Sequence, residues 1–141
     1  PDKLPAFVSA FETVAGSLLT EEDLVPRCKV DARVAPGELS LESVEALGVL
    51  APFGAGNPEP VLGTFNVTAS PRVLQAKKEG MAAHLKLSLE ANPQLDVIGF
   101  QLANRIGLTE GPVDLAFKAS IDEWNGNKRV SLKLKDLRTA S

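Results

Sequence analysis

Nine consecutive residues, Pro52-Phe53-Gly54-Ala55-Gly56-Asn57-Pro58-Glu59-Pro60, constrain this chain more than any other stretch, because they set three prolines and two glycines around one aromatic. Proline fixes its own φ and pushes the preceding residue toward extended geometry, so Asn57 and Glu59 are held extended. Gly54 and Gly56 can adopt backbone angles barred to other residues. The run separates a helical pattern from a strand pattern and predicts a stiff, sharply shaped connector. Two roles are open to it. Its successive N–H groups can form an anion-binding nest, or it can act as a rigid bracket with Phe53 buried as the anchor.

The rest of the chain is built for one soluble fold. At 141 residues, 44% apolar and 23% charged, it can bury a core without disulfides or metal, and no apolar run approaches the roughly 20 residues that span a bilayer. No signal peptide is visible, so no membrane partner is expected. The single cysteine, Cys28, cannot form an internal disulfide and suits a reducing cytoplasm, and the one histidine, His84, leaves no metal-ligand cluster. Net charge is −3 but uneven: residues 1–60 hold 4 Lys+Arg against 10 Asp+Glu, and residues 61–141 hold 11 against 8. A basic half joined to an acidic one suits a nucleic-acid-contacting module on a connecting segment.

Three segments follow from the patterning. In residues 1–25, Leu4, Phe7, Val8, Phe11, Val14 and Leu18 recur at helical spacing after Asp2 as the cap, with Pro5 in the first turn. The Phe7 and Phe11 stripe has no obvious local partner, so this helix reads as the end of a preceding domain. In residues 26–60, Arg27 to Val34 alternates as a half-buried strand with Cys28 and Val30 inward, Ser40 caps a second helix carrying Leu41, Val44, Leu47 and Leu50, and Pro52 ends it. In residues 61–141 the pattern changes to strands. A long bent strand runs past Phe65, Val67, Val73 and Leu74 with an interruption at Ser70-Pro71, and Lys77 to Gly80 form its exit loop. His84 to Leu89 is a second strand, Asn92-Pro93 turns the chain, and Leu95 to Phe100 is a third. A short helical segment spans Ala103 to Leu108. Val113 to Ile121 and Val130 to Leu134 form the last two strands, joined by an Asn125-Gly126 hairpin. Five strands with a helix between the third and fourth is the order of an OB-fold barrel, giving a mainly β class with flanking helices.

The proline-glycine run, together with Leu50-Ala51-Pro52-Phe53-Gly54 and the distant Glu123-Trp124-Asn125-Gly126, resembles the C-terminal region of RecJ-type single-strand-specific DNA exonucleases of the DHH phosphoesterase superfamily, and the resemblance covers nearly the whole chain. It implies that the first helix closes a DHH-associated domain and that residues 61–141 are an OB barrel guiding single-stranded DNA. The catalytic Asp-His-His motif, which binds divalent metal, and the Gly-Gly-His motif of the associated domain are both missing from this sequence. Catalysis is therefore not expected of this chain alone. Manganese or magnesium belongs, by the same resemblance, to the parent enzyme, and the catalytic and associated domains of that protein are the implied partners.

Binding residues are legible by alternation. Arg129, Ser131, Lys133 and Lys135 fall opposite Val130, Leu132 and Leu134 on the last strand, with Lys128 beside them, and His84, Lys86 and Ser88 share a face of the second strand. Arg72, Lys77, Lys78 and Lys86 border the usual OB ligand groove. Such cations either neutralise phosphates or keep edge strands soluble. Trp124, the only tryptophan, lies at the hairpin tip, where it can stack on a base, fold back as a lid on the barrel end or pin the hairpin register. His84 is read as a surface hydrogen-bonding residue with phosphate or base contact as its alternative. A rival role for the whole barrel is to brace the nuclease or dock a partner such as a single-strand-binding protein.

Overall fold

A computed structural model describes residues 2–76 and 80–141. Strand β1 (Ala32–Arg33), helix α1 (Leu4–Leu18) and helix α2 (Leu41–Leu47) precede six strands: β2 (Leu62–Val67), β3 (Ala69–Leu74), β4 (His84–Leu89), β5 (Asn92–Gly99), β6 (Val113–Trp124) and β7 (Asn127–Thr139). They form one sheet in the order β1-β2-β6-β7-β5-β4-β3. Only Thr68 separates β2 from β3, so the predicted long first strand pairs with β6 through its first half and with β4 through its second, which curls the sheet on itself. β5 and β7 run parallel while the other neighbours among β2 to β7 are antiparallel. This is the five-stranded OB plan with its first strand bent.

Period-two alternation drives the closure. Leu85, Leu87 and Leu89 of β4, Val97 of β5, Val113, Leu115 and Phe117 of β6, and Leu132 of β7 point into one core and are almost wholly removed from water. Burying a side chain such as Phe117 contributes about 1.5–3 kcal/mol. The core ends under α2, whose Val44 is buried and whose Leu47 packs on the cluster with Ala119 and Ile121. Ser40 caps that helix: its Oγ accepts from the Ser43 amide at 3.1 Å, and the Ser43 hydroxyl accepts from the Ser40 amide at 2.9 Å.

Several local expectations are corrected. The first helix is preceded by Lys3, not capped by the Asp2 side chain, and none of its residues is buried, so Phe7 and Phe11 stack only on one another with centroids 6.1 Å apart. The strand expected over Arg27 to Val34 shrinks to Ala32–Arg33, because only Leu62 and Gly63 are offered for pairing. Cys28 is consequently exposed rather than a core residue. Val30 still leans on β2, and Gly63 permits it: a Cβ there would sit 2.8 Å from Val30 Cγ1. The bend in the first strand falls at Thr68 and not at Ser70-Pro71. Pro71 pairs within β3, which is tolerated because β3 ends the sheet and its missing N–H faces no further strand. The turn after β4 is Glu90-Ala91, and Asn92-Pro93 already belongs to β5. The segment after β5 is a 3-10 helix, Ala103–Thr109. On β7 a bulge opposite the Ala116/Phe117 step inserts Lys135 and shifts the inward set from Leu134 to Leu137.

The connector loop is held otherwise than its composition suggests. Neither Gly54 nor Gly56 has a positive φ, and a Cβ at either would meet no atom within 4 Å. Gly54 and Asn57 instead exchange backbone hydrogen bonds of 2.8 and 3.1 Å, which uses two of the four N–H groups that a nest over Gly54–Asn57 would aim at an anion. Phe53, expected as a buried anchor, is 40% exposed. The loop is a bracket fastened by Asn57, not by its aromatic.

Candidate nucleic-acid interface

Residues directly paired across a ladder project from the same side of a sheet, so register identifies a face without reference to shape. Arg72 of β3 pairs with Lys86 of β4, Lys86 with Ile98 of β5, Ile98 with Lys133 of β7, and Lys133 with Lys118 of β6. Four cations thus lie in a band on the outer side of five consecutive strands, a path of about 19 Å along the curved sheet at the usual strand spacing. Two steps along the β6–β7 hairpin, Ser120 pairs with Ser131 and then Asp122 with Arg129. The row ends at Trp124 opposite Asn127. Trp124 is 76% exposed, which excludes the lid. It is presented by a tight turn in which Asn125 and Gly126 have φ of 50° and 78°, the left-handed pair that the Asn-Gly dipeptide supplies.

The sequence candidates divide on this surface. Lys86 and Arg129 are brought together by Asp96, and Arg72, Lys133 and Trp124 share the outer side of the sheet with them. Lys128 alternates to the other side of the hairpin, where its ammonium lies 3.6 Å from Glu45 of α2. Lys135 sits in the bulge and is exposed. Lys77 and Lys78 lie outside the described residues. His84 shares the outer side of β4 with Lys86, and its Nδ1 accepts the Gln101 amide at 3.0 Å. That bond fixes the exit from β5, where Gln101 takes a φ of 61°.

Three contributors were missed. Lys118 carries the same alternation signal on β6 that exposed Lys133 on β7, and it lies 2.9 Å from Glu59 of the connector. Phe100 is half exposed and meets the His84 ring edge-on at 5.2 Å, adding a second aromatic on that side; nothing in an apolar strand end distinguished it from core. Asp96 is the third. Its carboxylate, 15% exposed, receives Lys86 at 2.7 Å on one side and Arg129 at 3.1 Å on the other. Arg72, Lys133 and Lys135 have no ion-pair partner among the described residues. Arg105 of the 3-10 helix is paired with Asp136 of β7.

Divalent-metal chemistry needs several oxygen or nitrogen donors converging on one point. Among the described residues no three His, Cys, Asp or Glu side chains converge in that way. The side chains among the described residues therefore do not fit an Mg or Mn ion. No helix of the described residues is long and apolar enough to cross a membrane.

A family model described as the RecJ OB domain matches residues 30–136. The chain belongs to the RecJ OB-domain family. Among curated relatives, the single-stranded-DNA-specific exonuclease RecJ of Bacillus subtilis (strain 168) is 33% identical over 142 residues, covering 96% of this chain and 17% of the relative. The RecJ of Escherichia coli (strain K12) is 29% identical over 137 residues, covering 93% and 22%. The crystal structure of RecJ in complex with Mg2+ from Thermus thermophilus superimposes with a TM-score of 0.70 at 26% identity, covering 99% of this chain and 21% of that one. Its Mn2+ complex gives 0.69 at the same identity. The chain therefore spans less than a quarter of the length of these RecJ relatives. In this member of the RecJ OB-domain family, Lys86 lies on β4, the second strand of the OB plan, and Trp124 lies at the hairpin joining the fourth and fifth, β6 and β7.

Proposed function

We propose that this chain is the strand-holding module of a RecJ-type exonuclease, binding single-stranded DNA by its phosphates and by stacking, in the cytoplasm, while hydrolysis is carried out by an Mg- or Mn-dependent core elsewhere in the same polypeptide. One observation carries the proposal: Arg72, Lys86, Lys133 and Lys118 follow one another in register round the outer side of the barrel, the side that also carries an exposed Trp124. Phosphate neutralisation by such a row is independent of sequence, and an aromatic platform accepts any base, so little sequence preference is expected. A duplex keeps its bases stacked inward and offers the indole nothing. Fluorescence anisotropy with labelled oligo-dT at low salt tests the proposal. Binding that weakens as salt rises, and that exceeds binding to duplex of equal length, is the expected result; no binding, or equal binding to duplex, overturns it. Incubation of the chain with manganese and single-stranded DNA should yield no product.

A bracing role is favoured by a different observation, the unburied Phe7, Phe11, Leu4 and Leu18 stripe of α1. Its natural cover is the associated domain of the parent enzyme, with residues 1–25 closing that domain, residues 26–60 connecting and residues 61–141 forming the barrel. A single-strand-binding protein is the partner for which the barrel surface itself would serve. Charge reversal at Arg72 and Lys133 in the parent enzyme separates the roles: lost processivity with normal folding supports DNA holding, and lost partner binding supports docking.

A further inference from the structure

We propose that Asp96 limits how tightly the cation row can hold a polyanion, so that the strand is retained without being immobilised; this rests on the DNA-holding role proposed above. The carboxylate stands on β5 between two strands. Its register partner is Ser131 of β7, with Arg129 diagonal to it on that side, and Lys86 is diagonal on the β4 side. One acid thus engages two of the cations that would meet phosphates, at 2.7 and 3.1 Å, and occupies the place between them where a phosphate would bridge both. The group of three carries a net charge of one positive unit rather than two. A phosphate arriving there has to share Lys86 and Arg129 with a fixed carboxylate that cannot diffuse away as a counterion does.

The barrel does not need an acid at this position to close. The β5–β7 pairing runs through backbone groups at Asp96, Val97 and Ile98, and Val97 supplies the core contact on the opposite side. Desolvating a carboxylate is costly, and here it is compensated only by holding two long cations in fixed positions. Those cations are thereby pre-aimed at the face but half neutralised, a combination that favours a weak, quickly exchanged grip.

The test measures oligo-dT binding to the 141-residue chain and to Asp96→Asn across a salt series. Asparagine keeps the shape and a hydrogen-bond acceptor and removes the charge. Binding should tighten by about three- to tenfold at low salt, since a unit charge is removed within ion-pair reach of phosphate. The logarithmic salt slope should steepen by about 0.7, the value for one further phosphate neutralised on a single strand. Asp2→Asn makes the same change in net charge off the barrel and should leave binding nearly unchanged. Equal or weaker binding by Asp96→Asn, or equal tightening by Asp2→Asn, overturns the proposal while leaving the DNA-holding role intact. Failure of the unsubstituted chain to bind removes both. Should the asparagine variant lose its native circular dichroism, Asp96→Ser replaces it with the same expected direction.

Discussion

The Asn57 side-chain amide donates to the Leu50 carbonyl oxygen at 2.7 Å, tying the far side of the proline-glycine loop to the end of the helical segment that precedes it. A second bond from the same nitrogen reaches the Pro52 carbonyl at 3.1 Å. The loop's shape hangs on this one amide. Asn57→Ala removes both bonds at an exposed loop and should destabilise the chain by about 0.5–1.5 kcal/mol in urea unfolding. Gly54→Ala, by contrast, meets open space at a φ that alanine tolerates and should change stability by less than about 0.5 kcal/mol. The reverse ranking would show that the glycines, and not Asn57, hold the bracket.

Much of the barrel was legible because its strands alternate. His84 to Leu89, Val113 to Ile121 and Val130 to Leu134 each place every second residue in the core, and the Asn125-Gly126 turn is where the dipeptide put it. What alternation cannot report is the neighbour. Arg27 to Val34 alternates as well as any true strand, yet pairs over only two residues, since strand formation depends on an edge that the local sequence does not describe. Lys135 is exposed as its place in the alternation implies, but a bulge leaves no mark in the residue pattern, and the pattern does not show that it is the extra residue there. The same reason governs the site. Arg72, Lys86 and Lys133 could be named from their strands, but their alignment in one row depends on register, and the ion pairs of Asp96 join residues that lie 10 and 33 positions apart in the chain.

Asp23 closes the 3-10 turn Glu21–Leu24 by accepting from both the Thr20 hydroxyl, at 2.7 Å, and the Thr20 amide, at 2.8 Å. These bonds favour the ionised carboxyl and, the hydroxyl bond first, hold it below the ordinary aspartate range. A lowered folded-state pKa contributes stability that is complete above the unfolded-state value and is lost as pH falls through the folded-state value. The turn should therefore be closed at neutral pH and open only on strong acidification. Monitored by NMR, the Thr20 amide should shift with the Asp23 titration and lose that shift in Asp23→Asn. An amide that ignores the titration would show that the bond is not formed in solution.

Trp124 is exposed in the free chain, so its removal should cost binding and not folding. Trp124→Ala should keep the unfolding midpoint within the range of surface substitutions, about 0.5 kcal/mol, while weakening oligo-dT binding by about 1–3 kcal/mol if one base stacks on the indole. Indole emission should be quenched as oligo-dT is added to the unsubstituted chain. Unchanged emission together with demonstrated binding would confine the contact to the cations.

Position on the face, more than charge alone, should decide what each cation does. Arg72 and Lys133 lie in the row and have no ion-pair partner among the described residues, whereas Lys128 lies on the other side of the hairpin beside Glu45. Arg72→Gln and Lys133→Gln should each weaken oligo-dT binding and flatten the logarithmic salt slope by about 0.7, because each removes one phosphate neutralisation on a single strand. Lys128→Gln removes the same charge and should leave the slope unchanged. Its effect on stability should be small as well, since exposed ion pairs contribute at most about 1 kcal/mol. The three variants are to be compared in one salt series with one oligonucleotide. Equal losses from all three would mean that the chain attracts DNA through its overall charge, and the row across the barrel would then have no special part in holding the strand.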